Sequence, residues 1–256
     1  MPICHVNADD FGLHHDIDRG IVACIDAGRV TGLSLSPNGS SVDWALAREL
    51  AARVQVGVHV TLVGEPWMSQ TRAFASWSRL MPWLILPGSR AHLELEIRTQ
   101  ISALIDNGIK PTHMDSHQHV HLMSPTWALF MQMAQEFSIS RIRTPVTVRR
   151  ALCKRSFAGR VLQILSERRR RELPNSLPCI GLAHAGHNTV EILRREIELS
   201  DERDLELVAH PAFDTPALRE RYGTWKFDWE TERNALLSAQ FKDACAHLNY
   251  EIAAPR

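Results

Sequence analysis

Residues 113–121, HMDSHQHVH, place four histidines and an aspartate at alternate positions: His113, Asp115, His117, His119 and His121. Imidazole and carboxylate are the side chains that hold divalent metals and move protons near neutral pH. Spacing by two puts such residues on one face of an extended strand. Groups of the same chemistry are dispersed elsewhere: Asp9 and Asp10 in NADDFG, His59 in GVHVTL, Arg143 in ISRIRTP and His210 in LELVAH. Two imidazoles and one carboxylate make a three-ligand metal site that leaves positions open for water and substrate. Each motif alone has a plainer explanation. An Asp-Asp pair caps helices and turns, and a single strand histidine is commonly a hydrogen-bonded core residue. Their joint placement at the ends of predicted strands is what points to a site.

The elements that must position them alternate along the chain. ICHVN (3–7), GLSLS (32–36), VQVGVHVTL (54–62), PTHMD (111–115), ISRIRTP (139–145), LELVAH (205–210) and YEIAA (250–254) read as strands. Helical patterns cover 16–30, 41–53, 93–108, 124 to about 137, 149–173, 189–199 and 232–249. Such alternation predicts an α/β fold, a parallel sheet with helices outside it. About seven strands fit a barrel-like closure or an open doubly wound sheet, and both put chemistry at the strand carboxyl ends. No linker interrupts residues 1–256, which read as a single domain.

The 29 basic and 29 acidic residues cancel, leaving no global field to draw in nucleic acid or an anionic membrane. Five scattered cysteines without a CxxC pair read as reduced thiols, consistent with a cytoplasmic protein. No signal peptide is expected at MPICHVNADDFG, and LMPWLILPG (80–88) is too short to span a bilayer.

In that order, VNADDFG, GVHVTL, PTHMDSHQHVH, IRTP, GLAHAGH and VAHPAF resemble the YdjC/ChbG-like carbohydrate deacetylases, a family that includes the hopanoid-associated HpnK proteins. The resemblance runs from Val6 to at least Phe213. It implies a polysaccharide-deacetylase-like (β/α) barrel and metal-dependent removal of an N-acetyl group from a small amino sugar. Matched by motif, Asp10, His59 and His117 become the metal ligands, Asp9 the general base and His210 the general acid. Arg143 orients Asp9 or the substrate. Asp115 stands behind a ligand and fixes its tautomer, and is grouped on the substrate side with His119, His121 and His184. His113 is left to packing or solvent. One divalent ion is implied: zinc on coordination grounds, magnesium on family grounds. The partner is a small N-acetylated sugar, with no nucleic acid and no membrane span, and a homodimer is left open.

Residues 66–92 carry Trp67, Trp77 and Trp83 and read either as a lid over the sugar or as an insert burying its own tryptophans. GLAHAGHNT (181–189) is either a substrate loop bearing His184 and His187 or a strand turning into a helix. The basic run 167–173 reads as a solvated helix face or a contact for an anionic surface. Two rival functions stand beside the deacetylase: a binding protein without turnover, and a metal-dependent aldolase or isomerase. The latter would need a lysine near a strand end, where none is found.

Overall fold

The computed structural model describes residues 1–145, 157–173, 176–200 and 203–255. The first half runs β1 (Ile3–Phe11), α1 (His15–Asp26), β2 (Gly32–Leu35), α2 (Trp44–Ala51), β3 (Gln55–Val60), α3 (Trp77–Leu84) and α4 (Ser89–Asp106). β4 (His113–Ser116), a tight helical turn (His117–Leu122), α5 (Ser124–Glu136), β5 (Arg141–Ile142) and α6 (Phe157–Glu172) follow. The chain continues with β6 (Cys179–Ile180), α7 (Val190–Glu198), β7 (Leu205–Ala209) and α8 (Pro216–Tyr222). It closes with α9 (Trp229–Leu237), α10 (Ala239–His247) and β8 (Glu251–Ile252).

The strands form one parallel sheet in the order β5-β4-β3-β2-β1-β7-β6, with β8 pairing the start of β1. This is the order of a barrel, because β1 lies between β2 and β7 and the strands otherwise follow the chain. The seam falls between β5 and β6, which are not neighbours in the sheet. Side chains bridge it: the Thr144 amide donates to Ser176 Oγ at 3.2 Å. The sheet is therefore a curled half-barrel, and the doubly wound alternative is excluded. Among the described residues no helix is long and apolar enough to cross a membrane.

Element boundaries differ where local chemistry intervenes. The single helix expected over 232–249 is two, α9 and α10, broken at Ser238, whose Oγ accepts from the Phe241 amide and caps α10. The basic helix expected over 149–173 is seen as α6, while residues 149–156, with Cys153, lie outside the described residues. In α6 itself Arg169 is buried, its guanidinium 5.0 Å from the Trp127 ring, so part of the basic run packs on α5 instead of facing solvent. β6 and α8 lie in segments with no assigned element in the sequence.

Alternation along the strands separates two environments. Cys4, Val6 and Ala8 of β1 join the buried apolar layer beneath the helices. His5, Asn7 and Asp9 face the barrel interior, where they meet Ser34, His113, Asp115, Arg143 and Glu206, all buried. The interior is thus polar and must be internally hydrogen-bonded. Two glycines make room for it. A Cβ on Gly32 would lie 2.6 Å from the His5 ring, and one on Gly57 2.3 Å from the His113 ring. His113 is accordingly a packing residue, its ring between Ser34 Oγ at 3.1 Å and Thr112 Oγ1 at 2.9 Å.

Gly57→Ala should therefore lower the unfolding free energy by roughly 1–3 kcal/mol, the usual cost of overpacking. Part of the loss should return when it is combined with His113→Ala. A urea midpoint unchanged by Gly57→Ala would show that this interior relaxes freely.

Candidate active site

Successive residues of a regular strand point to opposite faces, so Asp9 and Asp10 should diverge. The strand is not regular there. Its register against β2 slips between Ala8 and Phe11, and Asp10 adopts a left-handed φ of 72°. This bulge, with the strain that a non-glycine carries in that region, turns Asp10 back so that both carboxylates line one cavity. Their surroundings then diverge. Asp9 receives a two-pronged contact from Arg143, Nη1 to Oδ2 at 2.6 Å and Nη2 to Oδ1 at 2.9 Å, and a hydrogen bond from Asn7 Nδ2 at 2.9 Å. Burial alone would raise the Asp9 pKa, but Arg143, joined by His59 and His210, holds it at about 2.

Asp10 instead faces two imidazoles. Its Oδ1 lies 3.3 Å from His59 Nε2 and 2.9 Å from His117 Nδ1. The far side of the His59 ring is fixed, with Nδ1 2.6 Å from Asp115 Oδ1. That leaves Nε2 aimed at Asp10, the carboxylate–histidine arrangement typical of metal ligands. Asp115 is held in turn by Ser34 Oγ at 2.8 Å and Arg143 Nη1 at 2.8 Å. One donor atom from each of Asp10, His59 and His117 falls within 4.8 Å of the others, and all three residues are buried. An ion with bonds of about 2 Å separates its ligands by about 3.3 Å, so this donor set could hold one. Burial would depress the His59 pKa, yet Asp115, Asp10 and Asp9 raise it to about 10. A cation bound at Nε2 would compete with a proton held there by the same carboxylates.

These groups form the floor of a cavity of about 410 Å³. Its rim includes His210, after β7, and His119, which follows Gln118; both Gln118 and His119 have a φ of 54°. Two successive left-handed residues let His117 and His119 both reach the cavity. Burial, together with Arg143, pushes the His119 pKa down to about 3, and its Nδ1 has no hydrogen-bond partner. His210 goes the other way: burial lowers its pKa, but Glu232, Asp10 and Asp9 more than offset this. The aromatic wall is Trp225, 5.1 Å from the His117 ring, and Phe227, 5.2 Å from the His210 ring.

Several expectations need correction. His121 does not face the cavity: it is fully buried, bonded to Ser116 Oγ at 2.7 Å and the Arg143 carbonyl at 2.9 Å, and stacked on Phe130. Asp115 lies beneath His59 with no exposure, out of reach of a substrate. His184 is turned to Glu196 at 3.1 Å and is not a cavity residue, although its neighbours Leu182 and Ala185 are. No residue of 66–92 lines the cavity. Trp67 and Trp83 pack on each other and on Phe74, as in a self-burying insert. Trp225, Phe227, Glu206 and Glu232 were not singled out in the sequence. The run GTWKFDW (223–229) was the available signal for the aromatic wall, and strand alternation could have placed Glu206 inside the barrel.

A parallel half-barrel of this strand order places the chain in a fold class, that of the carbohydrate esterase and polysaccharide deacetylase folds. The structure of a family 4 carbohydrate esterase from Streptomyces lividans in complex with acetate aligns with a TM-score of 0.53 at 10% identity, covering 99% of this chain and 92% of that one. A nearer likeness, TM-score 0.76 at 20% identity over 98% and 97% of the two chains, is to an Enterococcus faecalis V583 protein described as a cellobiose-phosphate cleavage protein. The family model for YdjC-like proteins matches residues 5–247, and the chain belongs to that family. It is 31% identical to a chitooligosaccharide deacetylase of Klebsiella pneumoniae (strain 342), over 98% of this chain and 97% of the relative. It is 29% identical to the Proteus mirabilis (strain HI4320) chitooligosaccharide deacetylase, over 96% and 95%.

The two aspartates should separate under substitution. Asp10→Asn weakens a charged donor and should reduce bound metal, whereas Asp9→Asn should leave metal stoichiometry unchanged. Elemental analysis of both variants decides it, and metal loss confined to Asp9→Asn would reverse the assignment.

Proposed function

We propose that the protein is a metal-dependent hydrolase that removes the N-acetyl group from a small amino sugar of the N-acetylglucosamine or chito-oligosaccharide type. The observation that carries this reading is the meeting of three groups in one cavity: the Asp10-His59-His117 cluster, the clamped Asp9 carboxylate and the His210 imidazole. The names of the full-length relatives support the substrate class. Among the described cavity residues there is no lysine, which disfavours Schiff-base chemistry. Two imidazoles and a carboxylate suit zinc or another transition ion better than magnesium.

A cation bound by Asp10, His59 and His117 would polarise the acetyl carbonyl and acidify the attacking water. The chain's own residues supply the proton transfers. Asp9, its oxygens held by Arg143 and Asn7, accepts the water proton. His210, its pKa raised by the surrounding carboxylates against the effect of burial, donates to the departing nitrogen. Water and amide become acetate and amine, and the proton on Asp9 balances the one lost from His210. His119, uncharged and unpartnered, is placed to hydrogen-bond a sugar hydroxyl, with Trp225 and Phe227 as apolar faces for the ring.

Acetate release from a panel of N-acetylated sugars, with metal content measured in parallel, tests the reading. Activity should track bound metal, and full turnover after exhaustive chelation would overturn metal dependence. His210→Asn should retain metal while losing roughly 10²- to 10⁴-fold in kcat, the range for removal of a general acid.

A further inference from the structure

Glu232, in the first turn of α9, is a buried carboxylate that joins two segments beside the site, the loop at Gly186–Asn188 and the residue His210. Its Oε1 accepts from the Gly186 amide at 2.6 Å and from Asn188 Nδ2 at 2.7 Å. Its Oε2 accepts from the His210 amide at 2.7 Å and stands 3.7 Å from His210 Nδ1. That last distance is too long for a hydrogen bond, and among the described residues Nδ1 has no hydrogen-bond partner. The carboxylate is the negative group set against this edge of the ring, while the ring as a whole lines the cavity. Glu232 also ties down the segment that shapes the wall. A Cβ on Gly186 would lie 2.2 Å from the Phe227 ring, and the Asp228 amide donates to the Gly186 carbonyl at 2.7 Å. Pinning Gly186 therefore sets where Phe227 stands, and Phe227 contacts His210.

We propose that Glu232 is a positioning residue for the general acid, fixing the His210 backbone and facing its Nδ1 edge so that Nε2 is presented to the leaving nitrogen. The inference rests on the reading that His210 protonates that nitrogen. A carboxylate facing an imidazole favours the protonated ring through its charge even without a hydrogen bond. Its effect should appear only where the leaving group needs a proton.

The test compares two probes, N,N′-diacetylchitobiose and 4-nitrophenyl acetate, whose leaving phenolate departs without protonation. Glu232→Gln should lower kcat on the amide by roughly 10²-fold, the low end for losing a general acid. KM and bound metal should change little, and ester turnover should stay close to that of the unaltered protein. Glu232→Asp, which keeps the charge, should recover part of the amide rate. Combined with His210→Asn, Glu232→Gln should cost nothing further, because both act through one group. Parallel loss on both probes, or an additive double variant, would show that Glu232 only holds the loops together. A His210→Asn enzyme impaired equally on both probes would remove the general-acid reading itself. Metal-loaded unaltered protein that releases acetate from neither probe would remove the deacetylase reading, and this inference with it.

Discussion

The Arg143 guanidinium on the barrel axis is the contact on which the rest of the site depends. It is buried and reaches three carboxylates, Asp9, Asp115 and Glu206, at 2.6, 2.8 and 2.7 Å. A charge so far from water would cost several kcal/mol if unpaired, and removing any one partner would leave charges uncompensated. Asp9 takes its orientation directly from this contact. Asp115 takes its own from Arg143 and Ser34, and passes it on to His59. Through one side chain the position of the proposed base and that of a proposed ligand are coupled. Substitution of Arg143 would therefore disturb both functions at once.

Charge balance follows from the same centre. Four buried carboxylates, Asp9, Asp10, Asp115 and Glu206, share the interior with Arg143 and the partly buried Arg141. The excess of two negative charges is what a divalent ion would neutralise. The same carboxylates raise the His59 pKa to about 10 against the effect of burial. Binding of a divalent ion at this cluster would therefore be linked to proton release.

Much of this was legible because strand alternation and motif order are local properties. The odd-numbered pattern of HMDSHQHVH does put His113 and Asp115 on one face of β4. It fails after Ser116, where Gln118 and His119 turn left-handed and send His121 into the core beside Phe130. The same kind of backbone departure reorients Asp10. Non-glycine residues at positive φ carry no reliable signature, since tertiary packing imposes them. The tryptophan-rich segment 66–92 left two readings open for a related reason. Aromatic content says that surface will be buried, but not against what, and here Trp67 and Trp83 bury each other. Phe227 reaches the cavity, and Glu232 reaches His210 behind it, only through contacts between distant elements, which no periodicity records.

The depressed basicity of Asp9 has a chemical consequence. Arg143 holds the Asp9 carboxyl below the usual carboxylate range, at about 2, and so favours its charged form. The Arg143 contact that orients Asp9 therefore also makes it a weaker base than an ordinary aspartate. Proton transfer to such a group is efficient only from a donor whose own acidity has been raised, since efficiency follows the match between the two. Free water is far too weak an acid for that. Orientation of Asp9 has been gained at the expense of basicity, and the Asp10-His59-His117 cluster a few ångströms away is where the missing acidity can be supplied. On the proposed reading the base would act only together with a cation held at that cluster, which would couple the two halves of the floor.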